Sequence, residues 1–234
     1  MLDFSKISRL KGEFEAEGLP RDALASEVIF AARHGVGYLV KIGGCEAKSD
    51  IRFLQQIGVR DVVAPMIESG FAMSKYMSMI PDGAFDHIGV TIETVHAVER
   101  IEELLDAGTK LSEVTVGRTD LTASFGGSGV DSDETIAMVK KVAMAARRRG
   151  LKTTVGGSVG GATRQRLMND GELRELIAAV ETRKCVMSVE AFLEPQSLVD
   201  AFAIETALLQ SQVSYHGAIA HAASERVEQI NARL

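Results

Sequence analysis

Short apolar segments alternate with amphipathic ones along most of this chain, and that alternation constrains the fold more than any other feature. The predicted strands are 10–17, 38–43, 62–67, 88–93, 114–117, 153–157 and 185–191. Strands rich in Val, Ile and Met, separated by helices, imply a parallel sheet covered by those helices. Helical spacing links Ala97, Ile101, Leu104 and Leu105 before Gly108, and Ile136, Val139, Val142 and Ala143 before Gly150. Strand starts recur about every 25 residues through the first five units, which fits a TIM-type β/α barrel. Only seven strands are clear; the eighth is missing, irregular or hidden in the first ten residues. A doubly wound sheet needs a glycine-rich phosphate loop after its first strand, but Glu15-Ala16-Glu17-Gly18-Leu19-Pro20 offers none. Gly156 to Gly161 is glycine-rich yet lacks the Lys-Ser/Thr ending of a P-loop, and reads as a strand-end turn.

The 234 residues are 46% hydrophobic and 25% charged, enough to bury one core, and no Pro-, Gly- or Ser-rich linker divides them. Residues 1–234 therefore read as a single domain. A net charge of −6 without a basic stripe speaks against nucleic acid as a partner. No apolar run approaches the ~18 residues of a membrane span, and MLDFSKISRL lacks a signal peptide's apolar centre. A soluble cytoplasmic protein is expected. Cys45 and Cys185 are too few and too isolated for a zinc site or a disulfide framework.

Reactive residues of a β/α barrel sit at the C-terminal ends of its strands. Those ends carry Glu15 and Glu17, Lys41, Glu68, Glu93, Asp120, Ser158 and Glu190. Glu93, in Ile92-Glu93-Thr94, and Asp120, in Val116-Gly117-Arg118-Thr119-Asp120-Leu121, end consecutive strands as a pair of oxygen ligands for a hard cation, Mg²⁺ or Mn²⁺. Such an ion acts as a Lewis acid, able to hold a 2-oxo acid and stabilise the enolate formed when a carbon–carbon bond breaks or forms. The alternative is that Glu93 caps a helix and Asp120 belongs to an ordinary turn.

The first strand places Lys11, Glu13, Glu15 and Glu17 on one face and Gly12, Phe14 and Ala16 on the other. Facing inward, its acids need cations, with Lys41 the natural partner; otherwise the strand is an exposed edge. A Schiff base at Lys41 is the competing role and needs a desolvated amine. His96 lies near the rim of the barrel, where it is either a proton shuttle or a surface residue, and His216 and His221 share no helix face. Arg118 and Arg33 are candidates to hold a substrate carboxylate or phosphate.

At these residues the sequence resembles the HpcH/HpaI aldolase and citrate lyase β-subunit family of phosphoenolpyruvate/pyruvate-binding barrels. The resemblance spans about Lys11 to Ala191. Its strongest stretches are Val63-Ala64-Pro65-Met66-Ile67-Glu68-Ser69, Ile92-Glu93-Thr94 with Ala97-Val98-Glu99, and Val116 to Leu121 with Ala123-Ser124-Phe125-Gly126. It implies that Glu93 and Asp120 bind metal and that the backbone amides from Gly117 through Arg118 and Thr119 to Asp120 hold the substrate carboxylate. Glu68 and Ser158 are further substrate-binding candidates. Related aldolases carry an arginine where this chain has Lys41, and an Asp-Gly-Glu-His motif where it has Glu15-Ala16-Glu17-Gly18, so the proton-transferring histidine is absent. The chain also begins one strand late relative to those aldolases.

The expected activity is a divalent-metal-dependent carbon–carbon lyase or aldolase, or the reverse condensation, on a 2-oxo acid such as pyruvate or oxaloacetate and an unknown acceptor. Lys41 stabilises the oxyanion and Glu15 or Glu17 acts as base. Alternatives are a citrate- or malyl-type thioester lyase and a non-catalytic ligand-binding barrel. After Ser197 two helical stretches are expected, with Leu198, Phe202, Leu208 and Leu209 in the first and Val213, Ile219, Val227 and Ile230 in the second. One closes the barrel; the other, 213–234, carries an apolar stripe suited to a homo-oligomer interface.

Overall fold

The computed structural model describes residues 2–14 and 16–231, without the side chains of 229–231. Eight strands close a barrel in sequence order. They are β1 (Arg9–Glu13), β2 (Gly37–Lys41), β3 (Asp61–Ala64), β4 (His87–Ile92), β5 (Glu113–Gly117), β6 (Lys152–Gly156), β7 (Ala179–Glu181) and β8 (Cys185–Ser188). The helices are α1 (Arg21–Arg33), α2 (Lys48–Gln56), α3 (Gly70–Met79), α4 (Val95–Glu99), α5 (Ile101–Ala107), α6 (Arg118–Ser124), α7 (Asp133–Arg148), α8 (Gly161–Asn169), α9 (Gly171–Leu176), α10 (Val189–Leu193) and α11 (Pro195–Asn231).

The expected seven strands are present, and of the three readings left open for the eighth the irregular one holds, since it is neither missing nor in the first ten residues. It is β7, whose three residues are too few to show a period. The strands β1 to β7 run parallel, whereas β8 is antiparallel to both β7 and β1. The strand expected over 185–191 stops at Ser188, whose hydroxyl accepts from the Ala191 amide and starts α10. Likewise β1 stops at Glu13 rather than continuing to Glu17.

Alternation with period two sorts the strand residues. Leu10, Val40, Val62, Val90, Val114, Val155 and Val180 join the large core beneath the helices. The opposite face fills the barrel in layers. At the floor Arg9 donates to both Glu113 oxygens at 3.0 and 2.9 Å and approaches Asp61 at 3.4 Å. Leu39, Val63 and Val186 form an apolar layer. Nearer the mouth, buried Lys11 lies 2.8 Å from both Glu13 and Glu181. The charged face of β1 therefore lines the barrel, and the strand is paired on both sides rather than an edge. An uncompensated charge here costs several kcal/mol, so these pairings fix the register as firmly as the apolar layer does.

Helix α7 shows why the sequence marks its C-terminal end at Gly150. Ser132 caps its N-terminus by accepting from the Thr135 amide, Asp133 and Glu134 oppose the N-terminal dipole, Arg147 and Arg148 the C-terminal one, and Gly150 takes φ 71° beyond the end. After Ser197 the two expected stretches are one helix, α11, because no proline or glycine interrupts it before Gly217. Its first half buries Ala201, Ile204 and Leu208 against the barrel. Every residue from Val213 to Glu228 is exposed, and Val213, Ile219 and Val227 form the anticipated apolar stripe; the side chain of Ile230 lies outside the described residues.

Candidate active site

A cavity of about 500 Å³ opens at the mouth of the barrel, bounded by Lys41 from β2, Thr91 and Glu93 from β4, and Gly117, Thr119 and Asp120 from β5 and α6. Lys11, Glu13, Glu181 and Arg183 bound it from the side of β1 and β7, and Phe202 and Glu205 of α11 complete that wall. A second lobe of about 540 Å³ shares Glu13, Lys41, Glu93 and Asp120 and extends past Gly43, Cys45, Pro65 and Met66.

Glu93 follows β4 directly and is buried. Its Oε1 accepts from the Met66 amide at 3.1 Å, and its Oε2 lies 3.3 Å from Lys41 Nζ. Met66 adopts φ 51°, a left-handed conformation costing roughly 1–2 kcal/mol. A hydrogen bond to a charged group contributes about 1.5–3 kcal/mol, enough to offset that strain. Gly117 packs over the same carboxylate: a Cβ there lies 3.0 Å from Glu93 Oε2. Burial pushes the Glu93 carboxyl above its ordinary 4.5, and Asp120 adds to this against the opposing Lys41 and Met66 amide. Asp120 sits in the first turn of α6, so what the sequence suggested as a loop is helical.

Lys41 thus enters the mouth as expected, but its described partner is Glu93; Glu15 lies outside the described residues. Glu13 takes its cation from Lys11 on its own strand. Glu17 leaves the cavity for a second buried cluster, in which Lys184 lies 2.6 Å from Glu17 and 3.2 Å from Glu27, and Tyr38 donates to Glu27 at 2.6 Å. A carboxylate so neutralised, off the cavity lining, is misplaced for the base role assigned to it.

Other expected residues divide similarly. Ser158 lines the cavity with φ 49°, its hydroxyl 3.1 Å from that of Thr119. Glu68 instead accepts from the Thr94 hydroxyl outside the cavity. The Arg118 guanidinium is fully buried and donates to the Gly156 and Gly157 carbonyls, Thr163 and Asp131, so that side chain braces the loop after β6. Arg118 does not line the cavity, whereas its neighbours Gly117, Thr119 and Asp120 do; Gly157 approaches this turn so closely that a Cβ would lie 2.8 Å from the Arg118 nitrogen and 2.5 Å from that of Thr119. His96 is exposed beside Glu99. Glu190 is at the far end: because β8 is reversed, its C-terminal end points to the floor.

The same reversal explains the residues missed from sequence. Thr182, Arg183 and Lys184 form a hairpin at the mouth without the Gly or Asn that announces one. Glu181 ends the strand too short to detect, and Glu205 comes from a helix that the strand-end rule never inspects.

A model of the HpcH/HpaI aldolase/citrate lyase family matches residues 28–173. The chain belongs to this family. Its fold is likewise similar to that of an HpcH/HpaI aldolase from Desulfitobacterium hafniense DCB-2, at 17% identity and TM-score 0.62 over 85% of this chain and 83% of that one. An HpcH/HpaI aldolase/citrate lyase family protein from Burkholderia cenocepacia J2315 aligns at 15% identity and TM-score 0.62, covering 88% and 86%. A citrate synthase, SbnG, aligns at 11% identity and TM-score 0.59, covering 88% and 84%. No curated protein matches by sequence. The family match takes in Lys41, Glu93 and Asp120 but stops short of β1, β7, β8 and α11, within the Lys11 to Ala191 span expected.

Proposed function

We propose that this family member is a divalent-metal-dependent carbon–carbon lyase or aldolase acting on a 2-oxo acid such as pyruvate or oxaloacetate, or catalysing the reverse condensation. The observation that carries this reading is the convergence of Glu93, Asp120 and Lys41 on one cavity. The donor set suits Mg²⁺ or Mn²⁺: two carboxylates, with other positions left to water and substrate oxygens. The lining also carries an excess of acid, since Glu13, Glu93, Asp120, Glu181 and Glu205 face Lys11, Lys41 and Arg183, five against three. A divalent ion balances that difference. Among the described residues no group of three His, Cys, Asp or Glu side chains is arranged to hold a metal; in this reading water and substrate oxygens would complete the shell.

When bound, the ion supplies Lewis-acid stabilisation of developing enolate charge. The protein's own residues supply the rest. Glu93 is oriented by the Met66 amide and by Gly117 packed over it. Lys41, paired with one Glu93 oxygen at the cavity, would stabilise the substrate's keto oxygen. The amides following Gly117 hold the carboxylate, with Thr119 and Ser158 beside them. We place the enzyme in the cytoplasm as a homo-oligomer joined through residues 213–234; no described helix is long and apolar enough to cross a membrane.

The test is Asp120→Ala. Calorimetry should show Mg²⁺ or Mn²⁺ affinity reduced at least about 100-fold, since even outer-shell changes cost 10–100-fold, with the metal-free melting temperature retained. Affinity in the wild type should weaken as pH falls through the raised Glu93 pKa, because metal and proton compete for that carboxylate. Undiminished metal affinity in the variant sinks the ligand assignment. A borohydride-trapped pyruvate adduct at Lys41 replaces the mechanism with a Schiff base, and cleavage of a thioester substrate alone turns the reading to an acyl lyase.

A further inference from the structure

The five carboxylates lining the cavity are not equivalent. Glu93 is engaged by an amide and by Lys41. Glu13 and Glu181 are each held by Lys11. Of these five, only Asp120 and Glu205 have neither a hydrogen bond nor an ion pair among the described residues. The reading above gives Asp120 to the metal. Glu205 remains, half-buried, on the opposite wall of the same cavity.

Its position follows from helix geometry. Ala201, Ile204 and Leu208 repeat at three- and four-residue intervals on the buried stripe of α11, which leaves Phe202 and Glu205, three apart on a neighbouring face, as the cavity's lining from that helix. The helix starts at the floor after the reversed β8 and reaches Glu205 ten residues later, a climb of about 15 Å, similar to the height of a five-residue strand. An apolar ring one turn below a free carboxylate is a suitable environment for a group that exchanges protons.

We propose that Glu205 is the catalytic acid–base of this site, performing the proton transfer for which the sequence has no histidine. The inference rests on the 2-oxo acid lyase reading. In cleavage, Glu205 takes the hydroxyl proton of the bound aldol. The adjacent carbon–carbon bond breaks, its electron pair passes to the 2-oxo acid carbon as the enolate, and the hydroxyl carbon departs as a carbonyl. Protonated Glu205 then returns that proton to the enolate carbon, giving the neutral methyl or methylene and restoring the carboxylate, so no further reactant is consumed. The groups around it suit the task. Burial pushes its carboxyl above the ordinary 4.5; Arg183, Lys184 and Lys11 draw it down and Glu17 opposes them, with a net rise that makes Glu205 a stronger base than a surface glutamate. It must be ionised to begin cleavage, so that rate falls as pH drops through the raised value.

Exchange of pyruvate methyl protons in D₂O, followed by proton NMR with Mg²⁺ or Mn²⁺ present, is the reverse of the final proton return and requires no knowledge of the acceptor. The wild type should exchange. Glu205→Gln should exchange at least about 100-fold more slowly, with the acid limb of the pH profile abolished and Glu205→Asp recovering part of the rate. Metal affinity by calorimetry should stay within threefold and the melting temperature should hold, because the residue is only half-buried. Absence of exchange in the wild type overturns the lyase reading and this inference together. Exchange in the wild type and equally in Glu205→Gln overturns the inference alone, as does a slow variant that has also lost the metal.

Discussion

The two walls of this barrel are built by different rules. From β2 to β6 the strands are parallel, a helical segment follows each, and β-branched residues face outward into one core. From β7 through β8 to β1 one strand has only three residues, the next is reversed, and buried ion pairs do much of the interior packing. The first wall carries Lys41, Glu93 and Asp120 and lies within the family match; the second carries Lys11, Glu181, Arg183 and Glu205 and lies outside it. In the proposed mechanism the regular wall holds the metal and the 2-oxo acid, and the irregular one supplies the acid–base.

The largest effect should come from Lys11→Met, which takes the cation from two buried carboxylates. A loss of about 3–5 kcal/mol in urea unfolding is expected, the usual cost of breaking a buried pair from one side. The pH dependence should also change sign. In the wild type, burial raises the Glu13 pKa, but Lys11, Lys41 and Arg183 outweigh it and hold the carboxyl below 4.5. Its contribution is therefore present above pH 4.5 and fades as pH falls through the lower folded value. The variant should instead gain stability on acidification. A variant as stable as the wild type shows that the second wall does not depend on its charges.

Gly117→Ala probes the first wall. The added Cβ meets Glu93 Oε2 at 3.0 Å and its Cβ at 3.2 Å, and overpacking of this kind typically costs 1–3 kcal/mol. Thermal melting should show that loss, with metal affinity falling as Glu93 shifts. Unchanged values for both mean that Glu93 has more room than the geometry allows.

Deleting residues 213–234 should have the smallest effect on the barrel, since 213–228 are exposed along their length. The unfolding free energy from urea titration at low protein concentration is expected to change by less than about 0.5 kcal/mol, as for changes at an open surface, while sedimentation shows the assembly dissociated. A full-length chain that sediments as a monomer at micromolar concentration removes the oligomer proposal.

Legibility from sequence followed the same division. Glu93, Asp120 and Lys41 reach the cavity because each lies at the C-terminal end of a regular parallel strand, where apolar alternation reveals both the strand and its limit. The charged face of β1 was also readable, through its strict period of two. What failed had local physical causes. The strand before Glu17 stops at Glu13, the one before Glu190 points the other way, and Glu68 hydrogen-bonds a neighbouring helix cap instead of facing inward. The Arg118 side chain turned to carbonyls that only the folded loop after β6 presents. Three residues of β7 carry no periodicity, so the closure of the barrel had no signal of its own.

The reversed last strand also alters how this mouth can vary over generations. In a fully parallel barrel an insertion after the final strand lengthens a loop beside the substrate. Here the same insertion falls at the floor, and its effect is transmitted by helix phase. Adding or removing one residue between Pro195 and Glu205 rotates everything beyond it by about 100° and shifts it by about 1.5 Å. Such a change swings Glu205 off the cavity while drawing Ala201, Ile204 and Leu208 out of the core. Length variation is thereby suppressed where a parallel barrel tolerates it, and substitution at 202, beside the proposed acid–base, becomes the open route to new specificity.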